Sequence, residues 1–593
     1  MKRALLALAV SMAATPAAAA TAAPIPDPDR TPGIPEFDGS AATPRPITAP
    51  LPPRHPHMAP NERSNLHVDA FQTDTNVLTG PLGRDPSTVS TFYSAVCGSV
   101  TFDSRGRIVT VCVGLGGPTL KLLDPTTLNE IATFSLPPRQ PGPPGGNVFQ
   151  DFAGGGYFYL DGEDRAIIPT TTRHLVVVKA GESGFTQEKD IDLTGHVPQG
   201  DKIISALPDW SGLVWFASID GVVGTVDLPT GQIKSFDTTE HNGNSFAVDD
   251  EGGVYIVTNA ALYRFEKGAD GTPQVIWREA YDNIGQQKPG QAQAGSGTTP
   301  TIMDGGLVAI TDNTDPMNVV VYKRGRSVSG TRQICKQPVF EAGTSSTDNS
   351  LIAAGRSIVV ENNYGYTGPT SVEEERTTSP GVERIDIDAD GDGCRRVWRS
   401  EETAPSVVPK LSLGNGLVYV YTNPPNQPNG GDGWYLTAID FRSGRTMFRR
   451  LTGEGLGFNN NYAPVTIGPD GTAYVGTLGG LVAVRDATPP PQGLAPTHVK
   501  MDNRINASRP RVSLRLKRLR RSRVRATIVG PERRYVKRAD FKLGNRRAGA
   551  DKRSPFARTI RVVSTRRQTI RAIVRMDDGS RRIVKRTLRP RRR

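Results

Sequence analysis

Four aspartates, Asp386, Asp388, Asp390 and Asp392, alternate with other residues just ahead of Gly393. Alternating carboxylates before a glycine are how a calcium loop begins, because a hard cation needs several oxygens converging from a tight turn. The bidentate glutamate that closes a helix-loop-helix calcium site is missing, since Val397 stands at its offset. Strand-like flanks make the run either a structural calcium turn at a sheet edge or a solvated acidic hairpin. A second polar set is dispersed: Lys202, Asn244, Thr298, Thr299, Asp312, Asn313, Asp348, Asn349, Asn362, Asn363, Lys410 and Asn459, Asn460, Asn461 before Tyr462. Amide and carboxylate oxygens of this kind bind sugars, other polyols or Ca²⁺. The same residues cap strand ends and satisfy turn backbone. Several catalytic schemes find no support: there is no Gly-x-Ser-x-Gly elbow, Cys-x-x-Cys, His-x-x-x-His or phosphate-cradling loop.

The elements that must position these residues are short. From about residue 64 to 487, apolar runs of strand length alternate with Gly, Asp and Asn turns. One hairpin form recurs as TFDSRGRIVTVCVG, SALPDWSGLVWFAS, FAVDDEGGVYIVTN, LSLGNGLVYVYTN and VTIGPDGTAYVGT. With three weaker copies, the turns fall near Asp103, Asp161, Asp209, Asp250, Asp304, Gly355, Asn415 and Asp470, between 41 and 60 residues apart. That period suits a four-stranded propeller blade with variable loops.

Between strands further along each unit, Ala438, Asp440, Ser443, Gly444 and Phe448 form an Ala-x-Asp, Ser-Gly, bulky pattern, matched more loosely by Val226, Asp227, Thr230 and Gly231. These residues resemble the pyrroloquinoline-quinone-type propeller repeat. The resemblance implies an all-β chain with an about eight-bladed β-propeller over residues 64–487, seven blades being the alternative. The last unit ends after GGLVAVRDA without a fourth strand. An open edge must be paired, and residues 65–89 are placed to supply the strand that closes the ring. In similar propellers the loops before each first strand, and between second and third strands, form the ligand face. Lys202, Asn244, Asp348, Asn349, Lys410 and Asn459–Asn461 then face a central channel, with Asp312, Asn313, Asn362 and Asn363 in longer loops of that face. The four alternating aspartates fall on the opposite face. Asp348 and Lys410 stand out, because a carboxylate and a lysine facing one channel are costly unless paired or used. A calcium-dependent lactonase-type propeller needs Glu, Asn and Asp around the channel, which Asn244, Asp348 and Asn460 partly supply. Quinoprotein dehydrogenases carry adjacent cysteines beside the quinone, and none of the four here is adjacent. That counts against quinone binding and leaves Ca²⁺ as the implied cofactor.

The 593 residues carry a net charge of +13 that averages two opposites. Residues 500–593 hold 34 Lys/Arg against 6 Asp/Glu, so an acidic body carries a basic tail. Residues 1–22 have the basic start, apolar stretch and small-residue end of a secretory leader. Residues 23–63 are proline-rich and read as a solvated linker, in which His55, His57 and the following His67 offer a weak metal set. Four cysteines suit an oxidising compartment: Cys97 and Cys112 face each other across a hairpin, and Cys335 and Cys394 occupy comparable places in successive repeats.

After a linker at residues 488–508, residues 509–593 alternate apolar and basic residues with period two and resemble small bacterial immunoglobulin-like modules, a β-sandwich. Base-stacking aromatics are nearly lacking: Tyr535 aside, Phe541 and Phe556 read as core. The expected partners are therefore anionic cell-wall polymers or lipid head groups rather than nucleic acid. The sequence points to an exported, monomeric bacterial binding or scaffold protein held at the cell envelope, with an unidentified small ligand in the channel. The second reading is a calcium-dependent propeller enzyme acting on a small sugar, lactone or alcohol.

Overall fold

Each recurring hairpin turns on one side chain. The Asp103 carboxylate accepts the backbone N–H of Arg105 at 3.0 Å and of Arg107 at 2.8 Å. Asp161, Asp209 and Asp249 do the same for the residues two and four further on. A short carboxylate that bonds the backbone ahead of it builds such a turn locally. Glycine follows at the left-handed position in three of the four, as at Gly106 with φ of +78°.

The computed structural model describes residues 23–27, 30–114, 116–141, 147–388, 393–496, 500–501, 512–520, 522–530, 533, 536–563, 565–576 and 581–590. The expected leader at residues 1–22 lies outside them. Among the described residues the chain is all-β, and no helix is long and apolar enough to cross a membrane. Eight antiparallel sheets follow one another, each built on four strands: residues 95–135, 159–192, 203–237, 247–280, 301–338, 352–400, 410–454, and 465–486 joined by Pro86–Phe92. The seventh sheet gains Phe37–Gly39 on its outer edge and Thr75–Asn76, in parallel, on its inner edge.

Inner strands in these sheets, such as Ile203–Pro208 and Leu417–Thr422, bury both faces, which is why their apolar runs are nearly continuous, whereas outer strands such as Phe185–Asp192 are mostly exposed. Ile358 and Val360 pack with the fifth sheet through Ala309 and Val319, while Val359 between them packs with Val418 of the seventh. Shared cores link the first sheet to the second, the second through the fourth, the fourth to the fifth, the fifth to the sixth, and the sixth through the eighth. Phe102 and Ile108 of the first sheet then pack on Tyr474 and Leu481 of the eighth, so the chain of cores returns to its start. This cyclic succession fits a propeller-like arrangement. The strand that completes the eighth sheet is Pro86–Phe92, with Pro86 opposite Asp486 and Phe92 opposite Gly480. Only the far end of the expected closing segment, residues 65–89, does this work.

Residues 23–63 do not form the solvated linker their composition suggests. Ile25, Ala42, Ala49, His55 and Met58 are buried. The backbone pairs as it goes: Phe37 opposite Arg450, Ala42 N–H to Leu82 O, Ile47 N–H to Leu413 O, and Ala59 N–H to Leu160 O. Proline removes donors but leaves carbonyls, and a strap laid on other strands can still be held.

Both cysteine pairs are bonded, Cys97 with Cys112 within one hairpin and Cys335 with Cys394 between the outer strands of the fifth and sixth sheets. In the C-terminal module, a three-stranded sheet (Ser513–Leu519, Arg523–Val529, Ala557–Arg561) faces a four-stranded one. Leu514, Val524 and Ile560 of the first share a core with Phe541, Ile570 and Val574 of the second, and Phe556 is buried with them.

Candidate functional site

The inner edges of five of the eight sheets are met by the chain itself. Running through residues 64–76, Ser64 O accepts from Leu160 N–H, Ala70 O from Val248, Phe71 O from Ile302, Thr73 O from Ala353, Asp74 O from Leu411 and Asn76 O from Leu413. Leu160, Val248, Ile302, Ala353 and Leu411 lie in the first strands of the second, fourth, fifth, sixth and seventh sheets, and Leu413 directly follows the last of these. The segment therefore plugs the space that was expected to be an open channel.

One charged cluster of the segment is matched. Asp74 takes Lys410 Nζ at 2.7 Å on one oxygen and His67 Nδ1 at 2.9 Å on the other, with all three side chains at most 2% exposed. Lys410 therefore pairs with Asp74, not with Asp348. Burial pushes the Lys410 ammonium down, and Asp74 opposes that shift. Asp69 accepts the Thr73 hydroxyl at 2.5 Å and Phe71 N–H at 2.9 Å, and burial pushes its carboxyl up to about 7. His55 packs on Trp210 and His57 beside it, away from His67, and burial pushes His55 down to about 3.

Above the plug lies a cavity of about 470 Å³. Leu66 of the plug, Val96, Val111 and Val113 of the first sheet, and Val408 supply apolar wall. The connector between the first and second sheets adds Val148, Phe149, Phe152 and Tyr157, and Tyr462 closes another side. Phe152 meets the Tyr462 ring at 5.0 Å edge-on. The connector is fastened over the mouth by Asn147 Nδ2 to Thr367 O at 2.8 Å, Gln150 Nε2 to Gln291 O at 3.1 Å, and Asn461 Nδ2 to Phe149 O at 3.2 Å.

The polar groups in this wall are few. Arg139 and Lys202 both bind Asp151, at 2.9 and 2.7 Å. Asp348 is 8% exposed and accepts Ala292 N–H at 3.0 Å. Among the described residues it has no cationic partner, and burial pushes its carboxyl well above the usual range. Next to it, Asn349 donates to the fully buried Glu361 at 2.9 Å, whose carboxyl burial also raises. A wider hollow of about 830 Å³ runs between the second, third and fourth sheets. Among the charges of its walls, Arg165 holds Asp161 at 2.6 Å.

Of the residues singled out in the sequence, Asp348, Asn349, Asn461 and the adjoining Tyr462 line the cavity, and Lys202 stands behind it on Asp151. The other asparagines tie loops together. Asn244 donates to Ser296 O, Asn313 to Gln286 O, Asn362 to Thr344 O, Asn363 to Gly290 O, Asn459 to Pro369 O and Asn460 to Ser406 O. Asp312 accepts from Asn318 and Thr314 in its own turn. In the acidic run, Asp386 pairs with Arg384 at 2.8 Å and Asp388 with Arg395 at 3.1 Å, while Asp390 and Asp392 lie outside the described residues. Among the described residues no group of three His, Cys, Asp or Glu is placed to hold a metal ion. Sequence reasoning missed Arg139, Asp151, Phe149, Phe152 and Tyr157; the one signal was an unusually long connector between two strands.

No protein-family model matches the chain. An uncharacterized protein of Archaeoglobus fulgidus is 28% identical over 353 residues, covering 54% of this chain and 68% of that protein. Among solved structures, Sqt1 of Saccharomyces cerevisiae is similar at 10% identity, with 72% of this chain and 94% of that one covered at a TM-score of 0.35. The luciferin-regenerating enzyme is similar at 10% identity, with 48% and 91% covered at a TM-score of 0.29.

Proposed function

We propose that this chain is an extracellular binding protein built on an eight-bladed β-propeller. Its central channel is sealed by its own residues 64–76, and a small ligand is received in the cavity at the sealed mouth. The observation that carries this reading is the plug. It places backbone carbonyls and a paired Lys410–Asp74–His67 set where a channel ligand would sit, and leaves the apolar hollow above Leu66 as the concave space. A cavity of this size with few polar groups is what a small-molecule site looks like. Its walls suit a molecule with an apolar body better than a polyol. Two disulfides support an oxidising compartment, and the basic module supplies a means of retention on anionic polymers.

The test uses Gly98, which lines the cavity and has open space where a side chain would begin. Gly98→Phe should fill the cavity while leaving the melting temperature within a few degrees of the wild type. Small aromatic and aliphatic compounds should then stabilise the wild type in a thermal-shift screen and leave the filled variant unmoved. Equal shifts in both proteins would place binding elsewhere and end this reading.

A further inference from the structure

Asp348 is the unmatched group in the cavity wall. A carboxyl that is 92% buried normally has a cation beside it or several donors on it. Asp348 instead has the single Ala292 N–H, on one oxygen. The cations of the cavity are committed elsewhere, since Arg139 and Lys202 both hold Asp151 and Lys410 holds Asp74. Around Asp348 stand aromatic groups. Tyr157 and Tyr462 line the same cavity as Asp348, and burial first, then the Asp348 charge, push both phenols up. Phe152 packs edge-on against Tyr462, and Phe149 lines the same space.

We propose that the cavity takes an organic cation with an apolar body, its ammonium seated against Asp348 between the rings of Tyr157 and Tyr462. The inference rests on the reading of the cavity as a ligand site and names the ligand class. A buried carboxylate supplies the opposite charge that an ammonium loses on leaving water, and aromatic faces attract a cation through their quadrupoles. The aliphatic wall from Val96, Val111, Val113 and Val408 receives the body of the molecule. An anionic ligand would find Arg139 and Lys202 already bound to Asp151, and would meet Asp348 with the wrong sign.

Three probes with one phenylethyl body separate the charge types: phenethylamine, 2-phenylethanol and phenylacetate. Equilibrium dialysis of the full chain at pH 7.5 should show the amine binding at least about 10-fold more tightly than the alcohol, and phenylacetate weakest. Asp348→Asn should reduce the preference for the amine over the alcohol to about 2-fold or less, with alcohol binding retained. Gly98→Phe should abolish binding of all three. A preference for the alcohol or the acid, or an amine preference that survives Asp348→Asn, would overturn the assignment of an organic cation and leave the cavity reading standing. No binding of any probe up to millimolar concentration, with no effect of Gly98→Phe, would overturn both.

Discussion

Two carboxylates buried within the same eight-sheet body are treated in opposite ways. Asp74, in the plug, is fully enclosed with a lysine on one oxygen and a histidine on the other. Asp348, in the cavity wall above it, has one backbone donor and no cation among the described residues. A matched buried pair costs little net and fixes one arrangement of the chain, whereas an unmatched carboxyl is a standing cost that the fold does not need. The Asp74 cluster therefore holds the molecule together, and the cavity carboxyl makes sense through something that is added to it.

The largest expected effect breaks the matched side. Asp74→Asn leaves Lys410 buried without its counter-charge and should lower stability by about 3–5 kcal/mol, read from urea unfolding. Replacing both partners, Lys410→Met with Asp74→Leu, should cost less than the single change, because neither variant side chain then carries a charge. A double variant as damaged as Asp74→Asn would show that the pair does more than satisfy charge.

This difference was only partly legible in the sequence. The hairpins and their period could be read because most turns rest on a local Asp or Asn and the inner strands are apolar on both faces. Cys97 and Cys112 do face each other: the Asp103 turn closes on Arg107, and a bulge at Gly98 keeps Cys97 opposite Cys112. The plug was not legible, because residues 64–76 have no repeat or period, and their partners are carbonyls and strand edges hundreds of residues away. The proline-rich strap failed for a related reason, since composition reports missing donors and says nothing of carbonyls used by distant strands. Asparagines that cap loops look the same in sequence as asparagines that hold a ligand. Asn460, bonded to Ser406 and Ala463, is the former.

A second way to sharpen the comparison is pH. Asp69 and Glu62 near the plug are both pushed up to about 7, mainly by burial, from ordinary values of 3.8 and 4.5. A carboxyl raised on folding keeps its proton in the folded state while the unfolded chain loses it. Stability from these groups is thus whole below about pH 4 and falls as pH rises toward 7, by up to about 1.4 kcal/mol per pH unit for each. Asp69→Asn should flatten that slope in denaturant titrations between pH 4 and 7; an unchanged slope would remove Asp69 from the account. Asp348 should behave with the same sign but less weight, since it borders the cavity. Asp348→Asn should raise stability by about 1 kcal/mol at pH 8 and leave it unchanged at pH 3.5. A loss at pH 8 would mean that this carboxylate is matched after all.

The smallest effect on stability belongs to a third class of charge, neither buried nor matched. Arg515, Lys517, Arg523, Arg525 and Arg561 alternate with the buried Leu514, Val524 and Ile560 and so point outward from the three-stranded sheet of the C-terminal module. Lys517 stands opposite Arg525 and Arg523 opposite Arg561, so like charges face each other across strands. Such pairs are mildly unfavourable, and water screens most of the cost. Replacing the five with Gln should therefore leave stability within about 0.5 kcal/mol or raise it slightly. Retention on polyphosphate-coated beads at low salt should fall, and its dependence on salt should become shallower, because fewer counterions are released. If retention and its salt dependence stay as they were, this face is not where the module meets an anionic polymer. Its charges would then serve neither the fold nor attachment, unlike Asp74, which serves the fold, and Asp348, which awaits a ligand.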